Sequence, residues 1–189
     1  MSCYLVHSRK YTIPLLIVSS IISDDILDVS ELLFPKVYYF DFVQSINTSI
    51  ASIILPNWTC NDIDYMIFDF SRFNQVESIE IGDDCFGSVK TFQIDGLNRL
   101  KTIKIGNNSF TQKKNSSGND SSKSFHILNC ESLESIQIGE HSFSDFGGDF
   151  ELKNLPQLQS IQIGDMKSDS YNFYFSSFVV RGIELISNT

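Results

Sequence analysis

A seven-residue pattern recurs along this chain and limits its fold more than any other feature. Each copy begins with an apolar residue, has serine or threonine third, has isoleucine fourth and sixth, and ends in glycine. Four copies match fully, at residues 76–82, 100–106, 133–139 and 158–164, and a weaker copy at 50–56 has proline in the glycine position. An internal repeat of this kind predicts a chain of stacked, equivalent units.

A phenylalanine precedes every copy by the same distance. It stands eight residues before the first apolar position in all five copies: Phe42, Phe68, Phe92, Phe125 and Phe150. The copies start at residues 50, 76, 100, 133 and 158, so the successive intervals are 26, 24, 33 and 25 residues. The period is therefore about twenty-four residues, and the longest interval contains an insertion.

The insertion is the segment 111–124, in which every residue is polar or glycine. A segment without apolar side chains cannot offset the entropy of ordering by burying surface. We therefore predict a mobile surface loop, whose partial deletion over residues 113–121 would leave thermal stability nearly unchanged.

The repeated pattern itself predicts a short β-strand. Because Ser-Ile-x-Ile alternates with period two, both isoleucines face one side, and the serine and the variable residue face the other. Equivalent strands are expected to stack in parallel, while the preceding phenylalanine brings the chain back along the opposite flank, together with Ile94, Ile127 or Leu152. The glycines are expected to let each strand leave the sheet at positive φ. They are Gly82, Gly106, Gly139 and Gly164.

One copy resembles the L-x-x-L-x-L-x-x-N-x-L core of leucine-rich repeats. Its matching residues are Leu100, Ile103, Ile105, Asn108 and Phe110. The other copies have Trp58, Asp84 and His141 in the asparagine position. The Ser-Ile-x-Ile-Gly core followed by Ser-Phe or Cys-Phe is more similar to the irregular repeats, called BspA-like, of bacterial and protist surface proteins.

This resemblance covers roughly residues 42–185 and implies a mainly β leucine-rich-repeat solenoid. Its parallel strands would stack in a curved right-handed coil, and its function would be protein binding without catalysis. The corresponding organisation is an N-terminal segment and cap at residues 1–41, followed by a solenoid of about five repeats at 42–189.

Both ends of the solenoid have candidate caps. Asp25 is expected to cap a short helix, with Ile26, Val29 and Leu33 on one face and Pro35 ending it. At the other end, residues 178–183 copy half of a repeat and no polar cap follows, which is expected for a fragment of a longer array.

The first residues allow two interpretations that the sequence leaves open. Basic Arg9 and Lys10 precede a mostly apolar run at 11–22 and then acidic residues, the order of a signal peptide at 1–23. Pro14 within the run favours instead a buried strand or the ragged start of a fragment. The run is too short for a transmembrane helix, which takes about twenty apolar residues. Localisation stays open between secreted or cell-surface and cytoplasmic.

Composition disfavours several other functions. Fourteen Lys and Arg against twenty-three Asp and Glu give a net charge of -9, the wrong sign for nucleic-acid binding. No cysteines form a C-x-x-C pair, so we expect no metal site. Cys60 and Cys130 occupy core positions, and Cys85 is expected to be partly exposed. His126 and His141 are interpreted as structural, and with no catalytic motif in the sequence we predict no enzyme activity and no cofactor.

Five N-x-S/T sequons give weak support for a secreted chain. They begin at Asn47, Asn57, Asn107, Asn115 and Asn119. Such triplets are acceptors for N-glycosylation only in a secreted or cell-surface protein.

The outward strand positions form the candidate binding face, for a protein partner that the sequence does not identify. After Ser52 they are Ser78, Glu80, Thr102, Lys104, Ser135, Gln137, Ser160 and Gln162. Glu80 and Lys104 hold the same position in adjacent repeats and are expected to face each other about 5 Å apart. The strand face offers about 300 Å², less than the ~800 Å² per partner of a standard interface. The oligomeric state stays open.

Overall fold

The computed structural model describes residues 5–7, 12–14, 22–23, 26–28, 50–58, 60–61, 66–70, 73–114, 116–165 and 169–183. Within these ranges the chain forms fourteen β-strands. They are β1 (Leu5–His7), β2 (Thr12–Pro14), β3 (Ile22–Ser23), β4 (Ile26–Asp28), β5 (Ser52–Leu55), β6 (Ile67–Asp69), β7 (Ser78–Ile81), β8 (Thr91–Asp95), β9 (Thr102–Ile105), β10 (Ser124–Leu128), β11 (Ser135–Ile138), β12 (Asp149–Lys153), β13 (Ser160–Ile163) and β14 (Ser177–Arg181).

From β5 onward, successive strands alternate between two parallel sheets, which makes this part of the chain a solenoid of about five turns. The repeat sheet has the order β13-β11-β9-β7-β5-β4-β3, and the return sheet has the order β14-β12-β10-β8-β6. All pairs are parallel except β3 with β4 and the separate hairpin of β1 and β2. The solenoid predicted from the repeat is therefore confirmed, including the return of the chain along an opposite flank.

Each turn pairs with the next in the register that the repeat predicts. Ile79 pairs with Ile103, and Ile103 with Ile136, so the register continues across the 33-residue interval that contains the insertion. The isoleucines of β7, β9 and β11 are buried, while the serine or threonine and the variable residue face outward. The alternation predicted for these strands is confirmed.

Two columns of phenylalanine rings fill the space between the sheets. One column runs through the return sheet with ring centroids 4.5–4.9 Å apart, stacked except for the last pair, whose planes are tilted by 37°: Phe68, Phe92, Phe125, Phe150 and Phe178. The other stacks at 4.7–4.9 Å: Phe86, Phe110, Phe143 and Phe173. The two columns meet edge to face, as aromatic quadrupoles favour. The fixed spacing of phenylalanine is explained because neighbouring strands lie about 4.8 Å apart, close to a ring-stacking distance.

Three of the four repeat glycines have a different role from the one expected. Only Gly164 has positive φ, at 68°. At Gly106 a Cβ would lie 2.6 Å from the carbonyl carbon of Gly82 and 2.7 Å from the amide nitrogen of Asp83; Gly82 and Gly139 are equally crowded by the preceding turn. The glycine is needed because successive turns approach each other closely there, and not because of its backbone freedom.

A ladder of side-chain hydrogen bonds joins the same turns at the residue after the glycine. The amide of Asp83 donates to Asn57 Oδ1 at 2.8 Å, that of Asn107 to Asp83 Oδ1 at 2.6 Å, and that of Glu140 to Asn107 Oδ1 at 2.8 Å. These bonds satisfy the backbone donors that become available where each strand ends.

The position that resembles the leucine-rich-repeat asparagine has another role here. Asp84, Asn108 and His141 have φ between 53° and 58°, and Asn108 is only partly buried. The buried polar ladder lies one residue later, where Ser109 Oγ donates to the carbonyl of Gly82 and Ser142 Oγ to that of Gly106. At the asparagine position the chain thus turns a corner with its backbone in the left-handed region, which asparagine and aspartate tolerate better than most residues.

The two ends of the insertion are packed against the following turn, while most of the described residues between them are exposed. Thr111 and Lys123 are buried, and Lys123 Nζ lies 2.8 Å from the buried carboxylate of Asp145. The amide of Gly118 donates to Ser144 O at 3.0 Å, and the last residue of the predicted loop, Ser124, belongs to β10. The expectation that a wholly polar segment buries none of its residues was wrong, because an ion pair and hydrogen bonds to the next turn replace the missing apolar contacts. The mobility of the segment stays a prediction.

The N-terminal cap differs from the predicted helix where the structure describes it. Residues Ile26–Asp28 form β4, which extends the repeat sheet beyond β5. Val29, Leu33, Pro35 and Phe42 lie outside the described residues, as do most residues of the proposed signal peptide. In the described ranges, no helix has the length and hydrophobicity to span a bilayer.

Candidate functional site

The candidate site is the outer face of the repeat sheet, where the strands place all eight predicted residues. They form two in-register rows across the strands. The first row is Ser78, Thr102, Ser135 and Ser160, and the second is Glu80, Lys104, Gln137 and Gln162. Every one of these side chains is exposed or half-buried, so none is required to fill the core.

Strand β5 extends both rows by one residue. Ser52 pairs with Ser78, and Ile54 pairs with Glu80. Ile54 was not recognised as a face residue, although its position in the weak repeat 50–56 is the same as that of Glu80. The second row therefore changes along the sheet from an apolar residue to an ion pair and then to two amides.

Two contacts fix the geometry of the rows. Ser78 Oγ donates to Ser52 Oγ at 2.8 Å, and Lys104 Nζ lies 2.6 Å from Glu80 Oε1. The predicted juxtaposition of Glu80 and Lys104 is confirmed. Both side chains are about half exposed, so the pair stabilises the fold by less than about 1 kcal/mol.

The rows border a shallow groove of about 290 Å³. Its lining includes Ser52, Ile54, Thr102 and Gln137, with the Glu80–Lys104 pair between them. Hydroxyl, amide and charged groups thus converge on one surface, where they can both donate and accept hydrogen bonds.

A second charged cluster lies beside the groove, where β7 and β9 begin. Glu77 accepts from Lys101 Nζ at 2.7 Å and from Arg99 at 2.8 Å. These hydrogen bonds, first from Lys101 and then from Arg99, lower the pKa of Glu77 below its ordinary value. The carboxylate therefore stays ionised at neutral pH, which keeps this flank of the face charged.

The return sheet has an outer face of different character. His126 Nδ1 lies 3.7 Å from Glu151 Oε2, and Gln93 precedes His126 in the same row. These side chains are exposed or half-buried and belong to the sheet opposite the groove. The return face therefore supplies control positions for experiments on the groove.

The described cysteines are core residues. Cys60, Cys85 and Cys130 are buried, so the core positions predicted for Cys60 and Cys130 are confirmed and the partial exposure predicted for Cys85 is wrong. Cys85 takes the place of Ser109 and Ser142 in the buried ladder, with Sγ 3.2 Å from Pro56 O. Burial raises the pKa of the Cys130 thiol to about 11, so it is protonated at neutral pH.

The sequons have mixed placements. Asn57 and Asn107 are exposed members of the corner ladder, and Asn119 is exposed within the packed insertion. Asn47 and Asn115 lie outside the described residues. Glycosylation stays a prediction for all five.

Over the described ranges, no group of three or more His, Cys, Asp or Glu side chains is arranged to hold a metal ion. No family model, curated protein or solved structure matches this chain.

Proposed function

We propose that this chain is a non-enzymatic protein-interaction module that recognises its partner through the outer face of the repeat sheet. The observation that carries the proposal is the pair of in-register rows, whose side chains are free of any core role and are held on a continuous parallel sheet. Side chains on a rigid sheet bind without the entropic cost of ordering a loop.

The dimensions of the groove favour an extended peptide segment over a small molecule. Its volume of about 290 Å³ is at the lower limit for ligand pockets, which hold about 300–1,000 Å³. The groove crosses four strands, β5, β7, β9 and β11, which together span about 14 Å, the length of an extended segment of about four residues. Such a segment would contact Ile54 with an apolar side chain and the amide of Gln137 with a polar group.

The proposal includes the absence of catalysis and leaves two cellular settings. The buried thiol of Cys130, with its raised pKa, is unsuited to act as a nucleophile. Secreted or cell-surface binding is the first setting; a cytosolic scaffold, or part of a larger repeat protein, is the alternative. The intact mass of protein purified from its native source distinguishes them, since cleavage near residue 23 supports secretion and an uncleaved N-terminus supports the scaffold.

Exchanging the two charges of the face tests the role of the groove. The double variant Glu80→Lys, Lys104→Glu keeps the ion pair and the net charge but reverses the pattern presented to a partner, so we expect at least a tenfold loss of affinity, about 1.4 kcal/mol. Partners are first captured from native extract with the unaltered protein and identified. Their affinity for each purified variant is then measured by surface plasmon resonance.

The matched control is Glu151→Lys, Lys153→Glu, which exchanges one acid and one base on the outer face of the return sheet. It should bind as the unaltered protein does, and circular dichroism should show that both double variants are folded. Equal affinity of the two variants would remove the groove from the proposal.

A further inference from the structure

A second concave surface, of about 360 Å³, lies at the corners where the return strands β8, β10 and β12 end. Two rows of three residues line it, and we call it the corner pocket. The first row directly follows the strands and the second lies two positions later along the chain: Gly96, Asn129 and Asn154, then Asn98, Glu131 and Pro156. None of these residues lines the groove of the repeat sheet.

One corner of the pocket is open because it lacks a side chain. Gly96, Asn129 and Asn154 hold equivalent places and all have positive φ, between 53° and 73°. Two of the three corners adopt this backbone with asparagine, so the conformation alone does not require glycine. A Cβ on Gly96 would meet nothing within 4 Å. The missing side chain therefore leaves open space that an asparagine would otherwise occupy.

Hydrogen bonds hold the amides of the first row in place. Asn154 Nδ2 donates to Asn129 Oδ1 at 2.7 Å, and Asn129 Nδ2 donates to Asp95 Oδ1 at 2.8 Å. Each of these amide groups has a second N–H that can donate to a ligand. Because the amides are already oriented, a ligand that binds them does so at little cost in side-chain entropy.

The second row adds polar groups that are not used within the fold. Asn98 and Glu131 are exposed, and their side chains make no hydrogen bond or ion pair with any described residue. An asparagine amide both donates and accepts hydrogen bonds, whereas a carboxylate accepts them. Pro156 adds an apolar ring to the same lining.

We propose that the corner pocket binds a neutral carbohydrate, with one or two sugar rings in contact with both rows. Sugar hydroxyl groups donate and accept hydrogen bonds at the same atom, so they suit a lining that combines amides with a carboxylate. The C–H face of a sugar ring packs against an apolar surface such as the ring of Pro156. Three corners about 4.8 Å apart span about 10 Å, the length of a disaccharide.

Other classes of ligand fit this lining less well. An anion finds no cationic side chain among the lining residues, and a cation finds the single carboxylate of Glu131. Over the ranges that the structure describes, no group of three or more His, Cys, Asp or Glu side chains could hold a metal ion there. A purely apolar ligand would leave the amides and the carboxylate without hydrogen bonds. A neutral ligand rich in hydroxyl groups is the class that remains.

A glycan array that carries neutral and acidic oligosaccharides, probed with the full chain, tests the inference. At least one neutral oligosaccharide should bind, and we expect weak affinity because the pocket is shallow and its ligand small. Calorimetric titration of that oligosaccharide measures the affinity. NMR of isotope-labelled protein should show that the resonances of Gly96, Asn129 and Asn154 change on binding.

Gly96→Asn fills the pocket with the side chain that the next two corners have, so it should weaken binding at least tenfold and leave the fold intact. Glu131→Gln replaces a charge-assisted hydrogen bond with a neutral one and should weaken binding about tenfold. Glu134→Gln is the matched control, because it makes the same change at an exposed glutamate that does not line the pocket. It should bind as the unaltered protein does.

Circular dichroism of each variant shows whether it is folded before its affinity is interpreted. Failure of every neutral oligosaccharide to bind would overturn the proposal, as would unchanged affinity of folded Gly96→Asn or of folded Glu131→Gln. The groove variant Glu80→Lys, Lys104→Glu should keep its affinity for the oligosaccharide. A loss in that variant would place the ligand in the groove instead, so this inference and the proposed function fail separately.

Discussion

Ile136→Asp should unfold the central turns of the solenoid, whereas Gln137→Ala should be nearly neutral. Ile136 is 2% exposed and lies between Ile103 and Ile161 in the repeat sheet. An aspartate there places an unpaired charge in the apolar core, and the expected loss exceeds about 4 kcal/mol, most of the stability of a domain of this size. Gln137 faces the groove, and its truncation should change stability by less than about 0.5 kcal/mol.

Urea denaturation followed by circular dichroism measures both changes in the free energy of unfolding. The adjacent positions make the comparison sharp, because a strand shifted by one residue exchanges the two side chains between core and solvent. Similar stability of the two variants would mean that the inward and outward positions of β11 have been assigned wrongly.

Lys123→Met and Asp145→Leu should each destabilise the protein by about 3–5 kcal/mol, since each leaves one buried charge without its partner. The side chains of both residues are less than 10% exposed. Asp145 Oδ2 also accepts from the amide of Gln112, so its carboxylate holds both ends of the insertion against the turn. Deletion of residues 113–121 keeps Gln112 and Lys123 but removes Gly118 and Asp120, whose amides donate to the carbonyls of Ser144 and Asp145 at 3.0 Å, so it is expected to destabilise the fold and not to be neutral.

The double variant Lys123→Met, Asp145→Leu should recover most of the loss, because two apolar side chains of similar size can replace a buried ion pair at little cost. Lys114→Met is the control: its ion pair with Asp84 also joins the insertion to an earlier turn, but Lys114 is 44% exposed and should contribute less than about 1 kcal/mol. Chemical denaturation of the four variants gives the coupling energy. Additive losses in the double variant would show that the two charges do not depend on each other.

The repeat sheet could be predicted because the residues that define its strands recur at regular positions in the sequence. The alternation around Ile79, Ile103 and Ile136 fixes the phase of each strand, and identical phase in every copy fixes the register between strands. The position of the candidate face follows from the same alternation. Its chemistry was predicted less completely, since Ile54 lies in a copy that matches the pattern poorly.

The predictions that failed have one physical cause in common. The true role of Gly106, the burial of Cys85 and the packing of the insertion around Lys123 all depend on contacts between one turn and the next. Composition within a segment does not reveal such contacts. A lysine of a polar segment can be buried when the following turn supplies a carboxylate such as that of Asp145 to pair with it. A cysteine can be buried when the equivalent residues of the other repeats are serines that form a buried hydrogen-bonded ladder.

Cross-linking across the insertion is the most direct test of the continuous solenoid. Thr102 and Ser135 are register partners on the groove face although 33 residues separate them. Parallel strands place such partners about 4.8 Å apart, within the Cα separation of about 4.4–6.8 Å that a disulfide spans. The double variant Thr102→Cys, Ser135→Cys should form this bond under mild oxidation, as located by peptide mass mapping. Thr102→Cys with Gln137→Cys, a diagonal pair about 8 Å apart, should not. Formation of the diagonal bond without the direct one would contradict the register on which the fold and the groove both depend.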